Sequence, residues 1–138
     1  MKNQLFGLLG LGLLLAAASA YAQTGAVKAN VPFNFVVDKA EFPAGQYVIQ
    51  GFGTTGSAMT IQSSDQKVIK AVIPNACQSG KAQRTTKLVF HRYHDQYFLA
   101  QIWTAGNDQG RELPKSQHET ELASDYPTQD VVVVATLR

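Results

Sequence analysis

The chain has 138 residues, 45% of them hydrophobic and 16% charged, with a formal net charge of +2, one cysteine and three histidines. That length allows one small domain; the apolar content excludes intrinsic disorder, and a single cysteine excludes a cysteine-built metal cluster. No basic run is long enough to serve as a nucleic-acid footprint.

Residues 1–22 carry the three parts of a secretory signal. Lys2 supplies positive charge, Leu5 to Leu15 an apolar run, and Ala20-Tyr21-Ala22 the small-residue pattern for cleavage before Gln23. The apolar run is shorter than the ~20 residues a helix needs to cross a bilayer, so no membrane span is expected after cleavage. The expected organisation is a signal peptide at 1–22, a flexible lead-in at 23–30 and a single β domain at 31–138, in the periplasm or outside the cell. Beyond residue 22, valine and isoleucine number 17 against five leucines, a bias toward strands.

Val31 to Val37 alternates as a strand, with Pro32 placing it near an edge. Phe42-Pro43-Ala44-Gly45 reads as a turn, and Gln46 to Phe52 as a second strand. Strands follow at Ser57 to Ser63 and Lys67 to Ile73, the latter ended by Pro74. The polar stretch Asn75 to Thr86 reads as a loop. Leu88 to Tyr93 and Tyr97 to Trp103 flank His94-Asp95-Gln96 as a tight hairpin would. Strict alternation puts Leu88, Phe90, Arg92, Tyr97, Leu99 and Trp103 on one face and Val89, His91, Tyr93, Phe98, Ala100 and Ile102 on the other. Both faces are mainly apolar, so both need covering. Gly106 to Gly110 reads as a loop. Ser116-Gln117-His118-Glu119 matches a capping box for a short helix to Ala123, and Asp130 to Leu137 is the last strand. The predicted fold is all-β: an antiparallel β-sandwich or small β-barrel of about seven strands with one short helix near the C-terminus. Arms this short do not suit the ~9–11-residue strands of an outer-membrane barrel.

Catalytic patterns are sparse. Gly51-Phe52-Gly53-Thr54-Thr55-Gly56 spells a dinucleotide fingerprint, but a strand is expected after it where the fingerprint needs a helix. His91, His94 and Asp95 are the nearest thing to a metal cluster, although residues three apart on a strand face opposite sides. His118 and Glu121, with Glu119 adjacent, share a helical face that reads as solvated surface. Cys77 has no internal partner; it reads as a partly buried thiol, or as the seat of an intermolecular disulfide. The residues offered as a binding surface are Arg92, Tyr93, His94, Tyr97 and Trp103 of the aromatic hairpin, with Arg111, Glu112 and Lys115 of the charged connection. No catalytic residue, metal or cofactor is assigned.

Val31-Pro32-Phe33-Asn34-Phe35-Val36-Val37 followed by Pro43-Ala44-Gly45-Gln46-Tyr47-Val48 resembles the start of a family of small, exported, uncharacterised bacterial proteins. Leu88-Val89-Phe90-His91-Arg92-Tyr93, Tyr97-Phe98-Leu99 and Gly110-Arg111-Glu112-Leu113-Pro114-Lys115-Ser116 resemble its later signatures. Glycine often stands in that pattern where His94 stands here, which counts against a shared metal role for this histidine. The resemblance implies export and one fold, and assigns no activity. The expected function is a non-enzymatic module binding an envelope or extracellular protein or glycan. The alternatives are a surface protein self-associating through Val131 to Val134 or Cys77 and, more weakly, a metal-dependent hydrolase using His91, His94 and His118.

Overall fold

β-Branched and aromatic residues at period two build the longest strands, and a computed structural model shows how they pair over residues 26–51 and 58–137. Residues 1–25, which include the expected signal segment, and most of the Gly51–Gly56 motif lie outside the described residues. In chain order the strands are β1 Ala26–Val31, β2 Phe35–Val37, β3 Ala40–Phe42, β4 Gly45–Gln50, β5 Met59–Ser63 and β6 Ile69–Val72. They continue with β7 Asn75–Gln78, β8 Lys87–Tyr93, β9 Gln96–Trp103, β10 Gln109–Glu112 and β11 Gln129–Leu137; helix α1, Gln117–Asp125, precedes β11. Among the described residues the next element after β4 is β5.

The sheet runs β3-β2-β9-β8-β11-β1-β4-β5-β6, with β10 bridging β9 and β7, and it curls into a nearly closed barrel. All pairings are antiparallel except the single β2–β9 bridge, Val36↔Phe98. β11 joins the two halves: residues 129–134 pair with β8, and 135–137 with β1. Val131 to Val134 therefore belong to a strand inside the sheet order, with one edge taken by β8. The ends of the sheet, β3 and β6, meet through side chains. Lys70 on β6 reaches Asp38 in the β2–β3 turn at 3.5 Å, and Ala40, Val68 and Val72 pack on the shared core. That core fills the interior with Val27, Val31, Phe35, Phe42, Tyr47, Ile49, Met59, Ile61, Leu88 and Phe90 among others.

The domain has eleven strands among the described residues where about seven were expected. Val31 to Val37 is two strands, because Pro32 supplies no N–H to a ladder and the Asn34 side chain accepts the Ala44 N–H at 2.9 Å, turning the chain. The latter part of the expected lead-in, from Ala26, is strand β1 in the interior of the sheet, with Val27 and Ala29 buried in the core. Asn75–Gln78 is also a strand, paired with β10 along its whole length.

A β-bulge corrects the predicted hairpin faces. Val89 pairs with Gln101 and Phe90 with Leu99, leaving Ala100 unpaired. The extra residue reverses the alternation, so Ile102 joins Leu88, Phe90 and Leu99 in the core while Trp103 turns outward. The turn is two residues long, His94-Asp95, and His94 adopts φ +58°. Glycine enters that left-handed region without steric cost, whereas a side chain there carries a local backbone cost.

Outside the barrel, Trp103 lies against Gly110 of β10, where an added Cβ would come within 2.6 Å of the indole Cε3. Gly110→Ala should cost about 1–3 kcal/mol, read as a lowered urea midpoint with an unchanged slope. A second weak point is acid-sensitive. Asp65 Oδ1 accepts from the Ser63 hydroxyl at 2.6 Å and the Lys67 N–H at 3.2 Å, and these bonds, the hydroxyl first, hold its carboxyl below the usual range. A lowered folded-state value contributes stability that is complete above the unfolded value near ~3.9 and is lost as pH falls through the folded one. Thermal melts below about pH 4 should therefore fall more steeply for the wild type than for Asp65→Asn.

Candidate functional site

The outer face of β8–β9 is apolar, and α1 covers part of it. The helix begins at Ser116, whose hydroxyl accepts the Glu119 N–H at 3.2 Å, the capping contact expected from the sequence. Glu119 then points inward at 4% exposure rather than into solvent. Its Oε2 accepts the Tyr93 hydroxyl at 2.9 Å and lies 3.1 Å from His91 Nδ1. His91 Nε2 in turn lies 3.7 Å from Oδ1 of Asp130, its cross-strand neighbour on β11. Burial, and then Glu119, push the Tyr93 phenol above its ordinary range, with a Thr128 hydrogen bond opposing. This carboxylate–imidazole–phenol cluster holds the helix on the sheet.

Beside the helix the outer face stays open. Glu41, Val36 and Phe98 are neighbours across β3, β2 and β9. The N-terminal end of α1 and the β8–β9 turn rise on one side of this row. The result is a groove of about 560 Å³ lined by Asn34, Phe35, Val36, Glu41, Phe42, Pro43, Asp95, Gln96, Tyr97 and His118. The Asn34 carbonyl is engaged by Ala44 and the Gln96 carbonyl faces His118 Nε2 at 3.1 Å, which leaves both amide NH2 groups for a ligand. Among the described residues neither the Glu41 nor the Asp95 carboxylate has a hydrogen-bond or ion-pair partner, and no lysine or arginine lines the groove.

Of the residues offered as a binding surface, Tyr97 lines this groove. It is stacked on Phe33 with ring centres 3.9 Å apart, and the Arg92 guanidinium lies 5.4 Å from its centre. Arg92 donates Nε–H to the His94 carbonyl at 2.7 Å, and exposed His94 stacks on Tyr126. Tyr93, Trp103 and Arg111 are buried, at 0%, 6% and 8% exposure. The burial of Tyr93 and Trp103 follows from the second apolar face of the hairpin, which α1 and β10 cover, whereas Arg111 lies on β10 opposite the core residue Ile102. Glu112 and Lys115 are exposed but lie outside the groove lining.

The three histidines have separate partners: Glu119 and Asp130 for His91, Tyr126 for His94, and Gln96 for His118. Among the described residues no group of three or more His, Cys, Asp or Glu side chains is placed to hold a metal. Cys77 is half-buried on β7, and burial, then the Glu112 charge, push its thiol up, away from the reactive thiolate. Sequence reasoning passed over Asn34, Glu41, Asp95 and Gln96 as groove residues, since no spacing links positions brought together by three strands and a turn. The polar turn beside Tyr97 was the one local signal.

No family model matches the chain, no curated protein matches it, and no solved structure matches it. The helix contact is directly testable. Glu119→Ala strips the Tyr93 hydroxyl and His91 of their shared acceptor and should cost about 2–3 kcal/mol in chemical denaturation. Tyr93→Phe, which removes one donor and leaves the carboxylate with His91, should cost about 1 kcal/mol.

Proposed function

We propose that the chain is an exported, non-enzymatic β-domain of the cell envelope or extracellular space, and that its groove binds a neutral or amino-sugar glycan. The observation that carries this reading is the groove's lining: two carboxylates without partners, two amides with free NH2 groups, a tyrosine and a histidine, with no lysine or arginine. Sugar hydroxyls donate to carboxylates and accept from amides, so this set fits a polyhydroxylated ligand. An anionic ligand would meet two carboxylates and no lysine or arginine in the lining. The apolar floor of Val36 and Pro43 suits the C–H faces of a sugar ring. Export rests on the leader read from residues 1–22, and the binding role on the accessible groove rather than on the buried aromatics of the hairpin.

Titrating the protein with soluble hexose and hexosamine oligosaccharides, followed by amide chemical shifts, tests the reading. Shifts should centre on Asn34, Gln96 and Tyr97, Glu41→Ala and Gln96→Ala should each weaken binding about tenfold, and the sugar should be recovered intact. Unmoved groove amides at millimolar oligosaccharide overturn the proposal, and a concentration-dependent dimer in the same samples favours self-association through outward Val132 and Val134. Newly formed reducing ends would make the domain a hydrolase instead.

A further inference from the structure

A second groove, of about 390 Å³, shares Pro43 with the first. Its other walls are the turn between β3 and β4, the start of β4 at Gln46 and Tyr47, and the turn that joins β5 to β6. Phe42 and Pro43 line the first groove and Pro43 to Tyr47 the second, so the β3–β4 turn stands between them as a ridge. That ridge is held from both grooves. Asn34 Oδ1 accepts the Ala44 N–H at 2.9 Å, and the Tyr47 hydroxyl donates to the Pro43 carbonyl. Tyr47 is itself part of the core, which fixes the anchor. The far wall is also set by hydrogen bonds. The Ser63 hydroxyl donates to Asp65 Oδ1 and accepts the Val68 N–H at 3.0 Å, and the Ser64 N–H donates to the Gln46 carbonyl at 3.0 Å. Walls fixed in this way lose little freedom when a ligand enters.

The groups left over suit the same chemistry as the first groove. Among the described residues the side chains of Gln46, Ser64 and Lys67 make neither a hydrogen bond nor a salt bridge, and all three are exposed. Asp65 keeps Oδ2 for a ligand, since Oδ1 takes both of its local bonds. Together these groups supply donors and acceptors for sugar hydroxyls. The opposite charges of Asp65 and Lys67 offset one another, so neutral sugar units meet no net charge there. Pro43 between the grooves is exposed, and its ring offers apolar surface to the C–H face of a sugar.

We propose that the two grooves are subsites of one track, and that the ligand is a linear glycan chain lying across Pro43. The track rests on the binding reading above and adds to it a chain length and a second set of contacts.

Titration with soluble cello-oligosaccharides and chitosan oligomers, from dimer to hexamer, tests it through amide chemical shifts. The hexamer should move Gln46, Ser64 and Lys67 together with Gln96 and Tyr97, and should bind about tenfold more tightly than the dimer. Lys67→Ala should remove most of that gain. Ser64→Trp, which fills the second groove from an exposed turn position, should do the same. Both side chains are exposed, and thermal melts matching the wild type establish that each variant is folded. Equal affinity for dimer and hexamer, or a gain that survives both substitutions, overturns the track. The single-groove reading then still stands if Gln96 and Tyr97 move. Should those two amides stay unmoved at every chain length, the groove reading falls and the track falls with it.

Discussion

A hairpin apolar on both faces cannot be satisfied by a single layer, and the arrangement of this domain follows from that constraint on β8 and β9. One face, with Leu88, Phe90, Leu99 and Ile102, joins the barrel core. The other, with Val89, Tyr93, Phe98, Ala100 and Trp103, is buried as well but lies outside that core. It needs a second cover, which two different devices provide. Near the turn α1 lies over it, fastened by a buried carboxylate; at the far end β10 brings Gly110 against the indole. The groove is the part of the same outer surface that neither device reaches.

The bulge at Ala100 divides the labour between the faces. Without it Trp103 would enter the barrel and Ile102 would face outward. With it, the larger ring lies where a glycine makes room and the smaller branched chain fills the core. The placing of Gly110 and the placing of Trp103 are therefore one decision, written at positions seven residues apart.

Much of the fold was legible because it is locally encoded. The hairpin announces itself by two apolar arms about a polar turn, and α1 by Ser116 three residues before Glu119. What escaped reading depends on partners far along the chain. Ala26 to Asn30 has the small residues of a linker, yet becomes an inner strand because β4 pairs along its whole length and β11 along part of it. Asn75–Gln78 is polar and becomes a strand through β10 alone. Alternation cannot foresee a bulge, and so the faces beyond Ala100 were exchanged. The candidate site was the least legible part. Glu119 seemed one more charge on a wet helix, and the groove draws on Asn34, Glu41, Gln96 and His118, which no motif connects.

The pairing of β1 with β11 has a consequence for how the domain forms. Val27 lies opposite Leu137, so a ladder in the interior of the sheet joins the first and last described strands. Closing so long a loop gives no return until nearly the whole chain is present, which belongs to topologies that fold slowly. Until β11 arrives, β1 lacks that neighbour and β8 has one free edge, each a template for pairing with another chain. Before its final strand pairs, the domain is therefore two unjoined half-sheets, β3-β2-β9-β8 and β1-β4-β5-β6, and that strand acts as the fastening that turns them into one sheet.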